Sequence, residues 1–99
     1  MSVLSAMHID RVSRLPCVAC KVLQGVDTRP IEVHHIESSR HPFSDFIVLP
    51  LCYEHHQGFT GVHGRHRLGF EKLHGVTQIQ LLGVVTSMLL ADRASLVGG

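Results

Sequence analysis

Apolar positions fall into short groups along this chain, and their spacing changes from group to group. Ile9, Val12 and Leu15 recur every third residue, the spacing of one helix face. Ser5 is the expected cap of that helix and Pro16 its expected stop. Ile31 to Ile36 (IEVHHI) is rich in β-branched residues and alternates, which predicts a strand. Phe46 to Leu49 predicts a second strand, with Pro50 at its end or on an edge. A helix is expected to start near Tyr53. Leu68 to His74 predicts a short helix that buries Phe70 and Leu73 and stops at Gly75. Thr77 then caps a last helix to about Ala94, with Ile79, Leu82, Val85 and Leu89 as its main stripe. Leu81, Val84, Met88 and Leu90 widen that stripe. Ordinary packing is the default account of the width, and a homodimer surface is the other.

The pattern implies an α+β chain, read as one domain over 1–99. A strand–loop–strand–helix unit spans about 31–64, an N-terminal helix precedes it, and C-terminal helices cover about 66–94. A chain of 99 residues has a thin core, so a structural metal is the expected reinforcement.

Composition narrows the picture. Net charge is only +1 with histidines neutral, so contact with nucleic acid would have to rest on local basic patches. The longest apolar run, Ile79 to Ala91, is interrupted by Gln80, Gly83, Thr86 and Ser87 and is not a membrane span. The opening MSVLSAMHID lacks the basic-then-apolar order of a secretion signal. Three cysteines cannot all pair internally, and thiolates that bind metal suit a reducing cytoplasm. Gly98-Gly99 reads as a frayed end.

The nine histidines carry the chemistry. Cys17-x-x-Cys20 and Cys52-x-x-His55 are two halves of a zinc-clamping set. A redox dithiol is the competing use of Cys17 and Cys20, but it wants a helix following a strand, and here the pair is followed by Lys21-Val-Leu-Gln-Gly25 and a loop containing Asp27 and Pro30. His56, His63 and the pair His34-His35 are then left over, too many imidazoles for one structural ion. A second, catalytic metal is the reading that uses them. Neighbouring strand residues face opposite ways, so His34 and His35 cannot share an ion, and one must do different work. His56 and His63 are seven residues apart, about 10 Å along a continuous helix and too far for one ion. Gly58 and Gly61 are expected to break the helix between them. His8, His41, His66 and His74 are read as surface or structural residues.

VHHIE, SDFIVLPLC, CYEHHQGFTGVHG and FEKLHG together resemble the HNH endonucleases, which have a treble-clef-like ββα-metal (His-Me finger) site. Within them the chain is most similar to the phage recombination enhancement function (Ref) type of nuclease, from about His8 to Gly75. The resemblance implies a zinc-stapled ββα-metal core with structural zinc on Cys17, Cys20, Cys52 and His55. It implies a catalytic divalent ion (Mg²⁺, Mn²⁺, Ni²⁺ or Zn²⁺) on His34, His56 and His63, and His35 as the general base that activates water. Arg40, Arg65 and Arg67 are the candidates for DNA phosphate contacts. The implied activity is hydrolysis of DNA phosphodiester bonds, with a recombinase–DNA filament as a further partner, in a bacterial cytoplasm and from a phage or prophage gene. Many HNH members carry an asparagine near the second strand that steadies the general base. This chain has no asparagine, and Asp45 and Ser44 are the candidates to replace it. The alternative function is a non-catalytic zinc-binding domain for nucleic-acid or protein interaction, and metal stoichiometry separates the two.

Overall fold

The computed structural model describes residues 2–98, with side chains as far as Asp92. Five helices surround a two-stranded sheet: α1 (Val3–Ser13), α2 (Val18–Gln24), β1 (Glu32–His35), β2 (Val48–Leu51), α3 (Tyr53–His56), α4 (Val62–His74) and α5 (Gln78–Gly98). A 3-10 turn, Ser44–Phe46, leads into β2.

Several boundaries differ from the expectation. Ser2, not Ser5, caps α1, its Oγ accepting the Ser5 N–H at 3.0 Å. Ser5 is instead buried inside the helix, and α1 ends at Ser13, ahead of Pro16. Cys17 opens a true helix: its Sγ accepts the Cys20 N–H at 3.4 Å and α2 follows until Gly25, whose φ of 68° needs no Cβ. The second strand starts at Val48, and Phe46 belongs to the 3-10 turn.

Pro50 lies inside β2, opposite Val33. The Ile36 N–H bonds the Ile47 carbonyl, so hydrogen-bonded pairs fall at alternate positions and Val33–Pro50 is a non-bonded one. The missing proline N–H costs nothing there.

α4 begins at Val62, well before Leu68, and is kinked where His66 takes φ 61°, ψ 169°. Phe70 is fully buried while Leu73 stays 47% exposed. Thr77 Oγ1 accepts the Gln80 N–H at 3.0 Å, as a cap should, and α5 runs on to Gly98. Gly99, half of the end read as frayed, lies outside the described residues. The buried line of α5 is Gln78, Leu81 and Val85, with Leu82, Val84, Met88 and Leu89 packed beside the core. Ile79, read as part of the main stripe, is 56% exposed. Core packing thus takes up most of the wide apolar surface of α5. No single helix among the described residues is long and apolar enough to cross a membrane.

The core is Val12, Val18, Val48, Leu49, Leu51, Phe70, Leu81 and Val85, all at most 1% exposed. It joins α1, α2, β2, α4 and α5, and the chemistry-bearing residues sit along its border.

Candidate functional site

Two clusters of candidate ligands lie back to back across α3. In the first, Cys17, Cys20, Cys52 and His55 are all buried. His55 Nδ1 is 3.7, 3.4 and 3.3 Å from the sulfurs of Cys17, Cys20 and Cys52, and the Cys20 and Cys52 sulfurs are 3.8 Å apart. A tetrahedron with Zn–S near 2.3 Å and Zn–N near 2.0 Å has edges of roughly 3.5–3.8 Å. The donor set therefore fits Zn²⁺ in both chemistry and size. Burial pushes the Cys17 thiol up to about 12, against the pull of the Cys20 and Cys52 backbone N–H groups. Such a thiol ionises near neutral pH only beside a positive charge, which a bound cation supplies. Burial also lowers His55, with His74 next in effect, which keeps a lone pair for coordination.

The second cluster is His34, His56 and His63, whose nearest ring nitrogens all lie within 4.8 Å of one another. Ring centroids are 5.1 Å apart for His34–His56, 5.2 Å for His34–His63 and 4.7 Å for His56–His63. His56 and His63 approach at Nε2, 3.1 Å apart. A helix break makes this possible: α3 stops at His56, residues 57–61 turn back, and His63 sits in the first turn of α4. The turn folds against α3 so closely that a Cβ on Gly61 would lie 2.5 Å from the Glu54 carbonyl oxygen. Only glycine fits at that position.

Two polar residues outside the cluster fix the imidazoles. Glu32 Oε1 accepts from His56 Nδ1 at 2.7 Å, leaving Nε2 as the lone-pair nitrogen. Buried Gln78 offers Oε1 to His34 Nε2 at 2.9 Å, leaving Nδ1 free. The His56 interaction in turn holds the Glu32 carboxyl below the usual range, with Gln57 assisting. Burial drives His34 down to about 4; the Gln78 bond opposes this, and His56, His63 and His35 add to it. A neutral His34 at pH 7 suits a metal ligand.

His35 faces away from His34, as neighbouring strand positions must, and is exposed. Its Nε2–H points to Asp45 Oδ1 at 2.9 Å, which leaves Nδ1 as the basic nitrogen. Ser44, the other candidate for the missing asparagine, is buried, and no bond joins its side chain to His35. The turn that carries Asp45 also closes a shallow cleft with Ser2, Ser5, Arg40 and His41.

Arg40 is exposed on that cleft. The Arg65 guanidinium lies 4.5 Å from the Phe59 ring centre, and Arg67 is 3.9 Å from Glu71. His41 Nδ1 accepts the Phe43 N–H, and His8 rests against Phe46 at 5.4 Å. His74 donates to the Thr60 carbonyl at 2.8 Å and packs between His55 and Phe70. Sequence reasoning missed Glu32 and Gln78. Glu32 had a local signal, since it lies two residues before His34 on the same strand face. Gln78 had none, because 44 residues separate it from His34.

A family model described as recombination enhancement, RecA-dependent nuclease, matches residues 5–87. That span contains both clusters together with Asp45 and Gln78. No match was found among curated proteins.

Proposed function

This chain belongs to the recombination enhancement, RecA-dependent nuclease family, and from that premise we propose that it is an HNH-type, metal-dependent DNA endonuclease. Cys17, Cys20, Cys52 and His55 hold a structural zinc that joins α2 to the β2–α3 corner. His34, His56 and His63 hold one catalytic divalent ion. The observation that carries the reading is a pair of differently equipped histidines on β1: His34 turned inward among imidazoles, and His35 turned outward onto Asp45.

Phosphodiester cleavage needs an activated water and relief of charge on the leaving oxygen. The Nδ1 of His35 takes the proton of the attacking water, a role worth roughly 10²–10⁴ in rate. Asp45 holds the imidazole in the tautomer that exposes Nδ1 and balances the imidazolium that forms. Ring nitrogens of His34, His56 and His63 lie within 4.8 Å of one another, and Gln78 and Glu32 steady His34 and His56. The ion bound there would supply Lewis-acid stabilisation of phosphate charge. Arg40 lines the cleft beside Asp45, Arg65 lies over Phe59, and both suit phosphate contacts; Arg67 is drawn toward Glu71.

The family description supports a DNA target engaged together with RecA, and we place the reaction in a reducing bacterial cytoplasm, which suits thiolates that bind metal. A zinc scaffold without activity needs neither the His35–Asp45 pair nor the second imidazole cluster. The test is nicking of plasmid and of RecA-coated single strands by the parent and by His35→Ala, with bound metal counted in each. Activity should fall by at least about 100-fold while zinc content is unchanged. Cutting at the parent rate would remove His35 from the base role.

A further inference from the structure

Phe59 stands at the tip of the turn between His56 and His63, and 78% of it is exposed. Covering so large an apolar ring would bring a gain that its exposure leaves unused. The turn that carries it is tightly held. Glu54 accepts both the N–H and the hydroxyl of Thr60, and His74 donates to the Thr60 carbonyl. One face of the ring is occupied by Arg65, whose guanidinium carbon is 4.5 Å from the ring centre and whose Nε–H bonds the Phe59 carbonyl at 3.1 Å. Arg65 has no acidic partner among the described residues. A rigid aromatic face is thus backed by an uncompensated cation, three and four residues from two candidate ligands of the catalytic ion.

We infer that Phe59 and Arg65 form a stacking platform for one unpaired nucleobase of the bound strand. An aromatic ring gives a base its π-face without regard to sequence, and the guanidinium behind it attracts the adjoining phosphate. A buried duplex base offers no free face, so the platform takes a base that has left the stack. A protein partner would also cover an apolar ring, but the cation beneath it beside the proposed strand-cutting site favours a base with its phosphate, and the titrations below separate the two. The inference rests on the proposed nuclease site only in treating the neighbouring histidines as the place where the strand is held.

The chain contains no tryptophan, so Phe59→Trp introduces a unique fluorophore at the platform. The zinc-loaded full chain carrying this change is titrated with a single-stranded oligonucleotide and with an abasic strand of equal length. Indole emission should be quenched by the first and not by the second. By anisotropy, Phe59→Ala and Phe59→Leu should both weaken binding of the base-bearing strand by about 5- to 150-fold, the fold-change matching one base stack. Phe59→Trp should bind like the parent. The inference fails if Phe59→Leu binds like the parent, because apolar area alone would then suffice. It also fails if the loss appears only on recombinase-coated strands, which would make Phe59 a protein contact. Binding is read without cleavage, and repeating the titrations in His35→Ala keeps the outcome distinct from any failure of the nuclease reading.

Discussion

Replacing Asp45 separates the two things a carboxylate does for His35, which are to lock it and to charge it. Both side chains are substantially open to solvent, 42% for His35 and 29% for Asp45. At such a site an ion pair contributes about 0.2–1 kcal/mol, a factor of at most about five in rate. The lock is the larger effect. A freed imidazole spreads over three χ1 wells and roughly two χ2 orientations, and over two tautomers, so the productive arrangement falls to about one in ten. Asp45→Ala removes lock and charge together and should lower kcat by about 10- to 50-fold. Asp45→Asn retains an oxygen that can accept the Nε2–H, and should stay within about fivefold of the parent. It is also the residue that the resemblance to HNH nucleases leads one to expect near this strand. Single-turnover cleavage of a labelled strand at saturating metal reads the chemical step directly, and thermal melts check that folding is intact. Two results would refute the reasoning. One is Asp45→Asn as damaged as Asp45→Ala, which would make charge the dominant effect. The other is Asp45→Ala cleaving at the parent rate.

Other consequences are as accessible. Cys52→Ala should release zinc and abolish cooperative melting, because a structural zinc contributes roughly 10–16 kcal/mol of apparent folding free energy, as much as a small domain's whole stability; an unchanged Tm with full zinc content would refute the staple. Glu32→Ala should weaken divalent-ion affinity by about 10- to 100-fold at unchanged zinc content, by freeing the His56 ring; isothermal titration with Mn²⁺ or Ni²⁺ measures it. Stability should depend on pH through His34, whose folded value near 4 lies below its ordinary 6.5. The unfolded chain takes up this proton first, so stability is complete above about 6.5 and declines as pH falls toward 4, by up to ~3 kcal/mol. Denaturant melts of the parent and of His34→Gln, at equal zinc content, should diverge over that interval, and parallel curves would exclude His34 as the source.

Legibility in the sequence tracked distance along the chain. Cys17 with Cys20 and Cys52 with His55 each span a single turn, so their spacing alone brought their sulfurs and nitrogen within reach. The opposite facing of His34 and His35 follows from strand geometry, and the break between His56 and His63 followed from two glycines and an impossible span. Ile79 was misplaced for a physical reason. Residues 79–91 are apolar nearly all round, so no phase of the helix stands out, and the packing of Leu81 and Val85 against β2 and α2 decides it. The early start of α4 was not legible because a histidine- and glycine-rich stretch has poor intrinsic helix preference. Gln78 was invisible because its bond to His34 exists only once α5 has docked.

His55 and His56 are consecutive, yet one points into the sulfur cluster and the other toward His34 and His63. A single peptide link therefore separates the anchor from the working edge. On the proposed assignment, loss of the first ion would slacken the second site, and zinc shortage would leave the nuclease idle instead of loosely controlled.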